Sequence, residues 1–212
     1  MSIANDPPAQ KRIGRPADAA KRAGIVEAAS KSFFEDGFAG TSIEQVAADA
    51  GVSKVTIYNH FGDKRGLFAA AVERECERMG GYFSLEKTPP GTIAQRLAAI
   101  AQAMVEFLSR PEMIQFDRRI AAETAQDPAI GEAFLEAGPW RMKADFSAWL
   151  ARAAAHGELR IADPDLAAEQ FVALAKGMGD LERRFGAQPS AEDNERRLKG
   201  AVELFLASYG VD

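Results

Sequence analysis

TSIEQVAADAGVSKVTIYNHF, residues 41–61, carries the spacing of two short helices joined by a glycine-containing turn. Thr41 and Glu44 stand three apart, as in a capping box, where a hydroxyl and a carboxylate satisfy each other's exposed backbone N–H groups and start a helix. Ile43, Val46, Ala47 and Ala50 then share one face, leaving Gln45 and Asp49 outside. Gly51 suits the left-handed position just past a helix end, and Ser53 can cap the helix that follows. In that second helix Val52, Ile57 and Phe61 face inward. Lys54, Thr56, Tyr58, Asn59 and His60 are left to point away. A helix this short is unstable alone and must be held by neighbours. Its outward set can donate to and accept from base edges and phosphates, and no acid lies between Ser53 and Phe61 to repel a phosphate backbone. Two readings fit the pattern: a DNA-reading helix-turn-helix, and a plain amphipathic hairpin within a helical bundle.

The wider phrase AASKSFFEDGFAGTSIEQVAADAGVSKVTIYNHFGDKRGLF resembles the N-terminal domain of the TetR/AcrR family of transcriptional regulators, from about Ala19 to Phe68. Phe33, Gly37, Thr41, Ile43, Ala47, Ala50, Gly51, Val52, Ser53, Tyr58, Phe61, Lys64 and Leu67 occupy the family's signature positions. Val55 departs from the smaller or polar residue many members carry there, which bears on base preference. The resemblance implies a three-helix DNA-binding domain followed by a C-terminal helical bundle that forms a ligand pocket and a dimer interface, an all-α chain. It also implies contact between Lys64 and a phosphate.

The net charge of −5 is unusual for a DNA binder until it is divided along the chain. Up to Phe68 there are nine Lys/Arg against eight Asp/Glu, and the remainder is acidic, so DNA affinity must come from a local patch. The densest part is KRIGRPADAAKR, residues 11–22. Arg15 precedes Pro16, which biases it toward an extended backbone, and Gly14 removes a side chain that would obstruct a narrow groove. Gly14-Arg15-Pro16 resembles the core of an AT-hook. These features predict an arm over residues 1–17 that places Arg12 and Arg15 on DNA, with Arg15 in the minor groove. A solvated tail is the alternative for the free protein.

Gly62 and Asp63 break the chain, and Asp63 can cap a connecting helix that continues through residues 69–83. Gly80-Gly81 and SLEKTPPG mark a boundary, with a linker over 84–91 between the reader (18–68) and a helical domain (92–212). Beyond it, Thr92 and Gln95 repeat the capping-box spacing. Asp127-Pro128, Gly138-Pro139, His156-Gly157, Asp163-Pro164 and Ser190 punctuate further helices. Gly177 and Gly179 inside one of them suggest close approach of another backbone. Residues 118–186 resemble the AefR-like C-terminal domain of one branch of the family. By that resemblance Pro164–Phe185 and Ala191–Tyr209 pair with their counterparts in a homodimer, through Leu174, Gly177, Leu181, Phe185, Leu198, Val202 and Phe205. A small apolar effector would sit between bundle helices, among Met104, Phe107, Trp140, Phe146, Trp149 and Met178.

A two-fold pair of recognition helices spaced by about 34–36 Å reads a palindrome across successive major grooves. The expected partner is therefore double-stranded DNA carrying an inverted repeat. Lys54 and Asn59 are the candidates for base edges, Ser42 and Thr56 for phosphates or bases, and Tyr58, His60 and Lys64 for the backbone; Thr41 and Ser53 complete the set. The expected function is a ligand-responsive repressor. The alternative is a dimeric small-molecule-binding or protein-interaction module whose reader no longer reads. An enzyme is disfavoured, since the two histidines and single Cys76 fall into no catalytic or metal-ligand spacing, and no cofactor is expected. No apolar run is long enough to span a bilayer, and MSIANDPPAQKR lacks the apolar core of a secretory signal, which together point to the cytoplasm.

Overall fold

The computed structural model describes residues 14–80 and 90–211, with backbone alone for 14–17 and 78–80. Ten helices occupy the described residues: α1 Gly14–Gly40, α2 Ile43–Asp49, α3 Lys54–Phe61, α4 Lys64–Gly80, α5 Ile93–Leu108, α6 Pro111–Thr124, α7 Pro128–Ala137, α8 Pro139–Ala155, α9 Pro164–Arg184 and α10 Ala191–Tyr209. The all-α reading holds.

Most helix starts follow local capping chemistry. The Thr92 side chain accepts from the Gln95 N–H while the Gln95 side chain accepts from the Thr92 N–H, closing the capping box of α5. Asp127 and Asp163 cap α7 and α9 with proline at the first helical position, and Ser190 caps α10. Gly157 ends α8 with φ +75°, as the His156-Gly157 pair suggests. A single backbone bridge between Leu159 and Gly210 ties the end of α10 to the loop after α8.

Two hydrophobic cores divide the helices. The first joins Ile25, Phe33, Val46, Ile57 and Phe68 of α1–α4 to Met113, Phe116 and Ile120 of α6 and Ile130 of α7. The second gathers α5, α8, α9 and α10 around Phe146, Trp149, Phe171 and Phe205. The core of the first four helices is thus completed by helices from the C-terminal half. Phe107 of α5 packs against both cores.

Two expectations are revised here. The extended arm does not reach Arg15: residues 14–17 form the first turn of α1, where Pro16 costs no hydrogen bond because the first N–H groups of a helix have no intrahelical acceptor. Arg12 and most of the anticipated linker lie outside the described residues. Within the described chain no second backbone approaches Gly177 or Gly179. Gly177 kinks α9 with φ +46° and has open space around it, while Gly179 leaves room for the guanidinium groups of Arg183 and Arg197.

Candidate nucleic-acid interface and effector cavity

α2 and α3 are seven and eight residues long and owe their shape to caps and to what lies beneath them. Ser42 accepts from the Gln45 N–H at 3.4 Å. This corrects the capping-box assignment by one residue: Thr41 is 3% exposed, and its Oγ1 donates instead to the Gly37 carbonyl at 2.7 Å. Thr41 therefore positions the start of α2 and is unavailable to DNA. The Gly51 N–H reaches the Ala48 carbonyl, and the Val52 N–H that of Ala47, while Gly51 takes φ +64°. This paired closure fixes the angle between the two helices. Ser53 caps α3 through the Thr56 N–H at 3.2 Å, and fully buried Ile57 anchors α3 on the first core.

Burying Ile57 turns Lys54, Val55, Tyr58 and Asn59 outward, all exposed. Val55 is 66% exposed and is the outward apolar group that a sequence reading treated only as a departure from family pattern. A methyl-bearing side chain there suits contact with a thymine methyl. Lys54 is held by Glu44, Nζ to Oε1 at 2.6 Å. That bond raises the lysine pKa and, as its largest cause, lowers that of Glu44. Thr56 is half-buried and shares a hydrogen bond with Ser53 Oγ. His60 is less available: its side chain is 17% exposed and Nε2 lies 3.4 Å from Asp18. Lys64 is half-buried, its Nζ over the Phe38 ring at 4.9 Å and donating to the Ala39 carbonyl at 3.4 Å. Burial lowers the Lys64 pKa, an effect Glu123 partly opposes.

Glu123 belongs to α6 and had no sequence signal. α1 breaks at Gly37, where φ is +79°, and the break frees backbone groups on both sides. The Glu123 carboxylate accepts from the Phe38 N–H at 3.0 Å and the Ala39 N–H at 3.3 Å. Arg119, one turn earlier, donates to the Phe34 carbonyl at 3.3 Å. Two side chains of α6 therefore replace the helical bonds lost at the bend that leads into Ser42.

Between the two cores lies a cavity of about 580 Å³, lined chiefly by apolar side chains. Met104, Phe107, Trp140 and Phe146 line it as expected. Trp149 and Met178 do not. Trp149 is fully buried beneath Phe146 in the second core, and Met178 is 60% exposed on the outer face of α9. The unanticipated lining includes Cys76, whose thiol burial pushes up to about 12.

These features can be set beside known proteins. Residues 25–71 match the family model described as bacterial regulatory proteins, tetR family, and residues 95–211 match that of the AefR-like transcriptional repressor C-terminal domain. The chain belongs to the TetR family of transcriptional regulators. A crystal structure assigned to the TetR family from Mesorhizobium loti is 30% identical, with a TM-score of 0.75 over 92% of this chain and 98% of that one. The flavonoid-responsive regulator FrrA is 28% identical, with a TM-score of 0.69 over 91% of this chain and 98% of its own. The uncharacterised helix-turn-helix regulator YezE of Bacillus subtilis is 28% identical over 86% of this chain and 93% of its own.

TetR-family regulators bind DNA and are dimers, and the helices expected to pair here present a partly different surface from the one anticipated. On α9, Leu174, Leu181 and Phe185 are exposed, Phe185 to 84%, and Met178 joins them. On α10, Leu198, Val202 and Phe205 are buried in the chain's own second core, and Leu204 is the exposed apolar residue. The α10 stripe is real, but the chain's own core covers it. No described helix is long and apolar enough to cross a membrane.

Proposed function

We propose that this TetR-family regulator is a cytoplasmic, ligand-responsive repressor that binds an inverted-repeat operator as a homodimer, with DNA occupancy rather than catalysis as its output. The outward face of α3, held up by buried Ile57, carries the reading. Lys54 and Asn59 meet base edges, Val55 meets a thymine methyl, and Ser42, Ser53, Thr56 and Tyr58 meet phosphates or neighbouring bases. His60 and Lys64 are committed to Asp18 and Ala39, so their contribution is to hold α3 and α4 in place before any phosphate contact. The exposed α9 stripe through Leu174, Leu181 and Phe185 supports pairing of two copies.

The cavity between the cores is the proposed effector site. Its volume falls within the range of about 300–1,000 Å³ common for small-molecule pockets. An effector acts here only by preferring the conformation with poorly spaced reading heads, and its differential affinity sets how far repression is relieved. The test is anisotropy with labelled duplexes across a salt series: the intergenic DNA beside the protein's own gene against a random duplex. Selective, salt-dependent retention on an inverted repeat is expected. Equal binding to both duplexes would refute the local-repressor reading, and absence of binding would favour a module whose reader is silent.

A further inference from the structure

The charges around the effector cavity are matched with one exception. Lys143 donates to Asp165 at 2.7 Å and Glu169 at 3.0 Å. Lys176 meets Asp180 at 3.3 Å, and Arg184 reaches Asp117 and Asp180, each at 3.2 Å. Arg183 differs from these: its residue is 9% exposed, its Nη1 donates to the neutral Asn194 Oδ1 at 3.3 Å, and among the described residues no carboxylate lies within 4.0 Å of it. Of the carboxylates that act on it from farther off, Asp180 is held by Lys176 and Arg184, and Glu182 by Arg197 at 2.9 Å. Arg197 lies on the same side of α9, since a Cβ on Gly179 would meet Arg197 Nη1 and Arg183 Nη1 together. Arg197 Nη1 is itself buried without a hydrogen-bond partner.

A buried guanidinium with no carboxylate in contact is costly, and natural folds rarely keep one without a use. Desolvation lowers the Arg183 pKa, Arg197 adds to it, and the more distant Asp180 and Glu182 oppose it without offsetting it. Its position supplies the use. Arg183 and Ile114 line both the apolar cavity and an adjoining cleft of about 440 Å³, whose wall adds Gln115, Arg118, Asn194 and Ser109. Ser109 Oγ is buried there with no hydrogen-bond partner. The wall between an apolar chamber and a polar cleft thus carries the Arg183 guanidinium with no carboxylate in contact, and beside it Arg118, which donates to the Arg183 carbonyl at 2.9 Å and forms no ion pair among the described residues.

We propose that the effector is an amphipathic carboxylate, its hydrocarbon or aromatic body in the apolar cavity and its carboxylate on the Arg183 guanidinium. A buried guanidinium without a carboxylate in contact favours an anionic ligand group, and the planar fork of arginine fits a carboxylate in two parallel bonds. The inference rests on the cavity being the effector site.

The test compares decanoate, 1-decanol and decylamine by calorimetry and by quenching of Trp140, which lines the cavity. Decanoate is expected to bind at least about tenfold more tightly than 1-decanol, the scale of one charge-assisted contact, with decylamine weakest. Arg183→Gln should bring decanoate to the affinity of the alcohol, and Arg183→Lys should keep a preference for the acid. Equal affinities for acid and alcohol in the unaltered protein would overturn the carboxylate assignment while leaving the cavity as a binding site, and so would a preference that survives in Arg183→Gln. Binding of none of the three would overturn the effector-cavity reading and this assignment with it. The unaltered-protein comparison needs no variant to fold.

Discussion

Replacing Glu123 with alanine removes the carboxylate that receives two backbone N–H groups at the Gly37 bend. The Phe38 bond is partly buried and the Ala39 bond exposed, so water replaces the second more readily than the first. A charge-assisted bond to a backbone donor contributes roughly 1.5–3 kcal/mol when shielded and less when wet, which puts the pair at about 2 kcal/mol. For a chain of this size about 1 kcal/mol moves Tm by roughly 2–4 °C, so Glu123→Ala should melt about 4–8 °C lower. Glu123→Gln keeps one acceptor oxygen and should fall between the two. Thermal unfolding followed by circular dichroism measures both, with operator affinity measured in parallel. The bend is the entrance to Ser42 and α2, so affinity should fall in the same order. A Glu123→Ala protein melting within about 1 °C of the parent would refute the clamp, because the two N–H groups would then have been satisfied equally well without α6.

Asn59→Ala should relax preference at one symmetric base pair, by about 1–3 kcal/mol of discrimination, in selection from a randomised operator; an unchanged consensus would remove Asn59 from base readout. Glu44→Gln should tighten DNA binding at neutral pH, because the carboxylate that holds Lys54 at 2.6 Å competes with phosphate for it. The Lys54 hydrogen bond keeps the Glu44 pKa below its ordinary value, so Glu44 stays ionised as pH falls from 7 to 5 and contributes no gain in affinity there; a gain in that window lost in Glu44→Gln would contradict this. Cys76, with its pKa pushed up to about 12 from 9.0, holds about three orders of magnitude less thiolate than an ordinary cysteine at pH 8, and iodoacetamide should label it far more slowly in the native than in the denatured protein. The double variant Leu181→Glu with Phe185→Glu should sediment near the 22.9 kDa chain mass and lose operator binding, while a variant that stays dimeric would place the interface elsewhere.

Local chemistry was the legible part. Thr92 with Gln95, Asp127 before Pro128 and Asp163 before Pro164 act within a few residues, and each opens the helix that its spacing predicts. Thr41 was misread for a physical reason. It precedes Ser42, an equally good cap, and its hydroxyl goes back four residues to the Gly37 carbonyl, at a break in α1 that the residue spacing does not reveal. Hydrophobic periodicity found the stripe of Leu198, Val202 and Phe205 but could not say whether the same chain or a second copy covers it. A stripe has the same spacing in either case. Glu123 and Arg183 were invisible because a polar residue on an exposed-looking helix carries no mark of a partner elsewhere in the chain. Glu123 finds its donors 84 and 85 residues away, and Arg183 is conspicuous only once its neighbours' ion pairs have been assigned.

The same helix, α6, bears on both ends of the proposed regulation. Met113, Ile114 and Asp117 line the proposed effector cavity, and Arg119 and Glu123 grip the bend before the reader. From Asp117 to Glu123 is about 9 Å of helix, and a hydrogen-bonded rod of that length passes a rotation on with little loss. Side-chain packing alone would absorb part of such a shift by changing rotamer. An effector that displaces Met113 or Ile114 must therefore either turn α6 and drag the bend, or break the Glu123 bonds. Each course has a free-energy cost, and that cost bounds the coupling. If the clamp contributes about 2 kcal/mol, an effector acting through it can change operator affinity by roughly thirtyfold and no more. A much larger effect of effector on DNA binding would require a second route, and α4 offers one. It packs on α1 and α7 and brings Cys76 to the cavity wall, while its first turn holds Lys64 against Ala39.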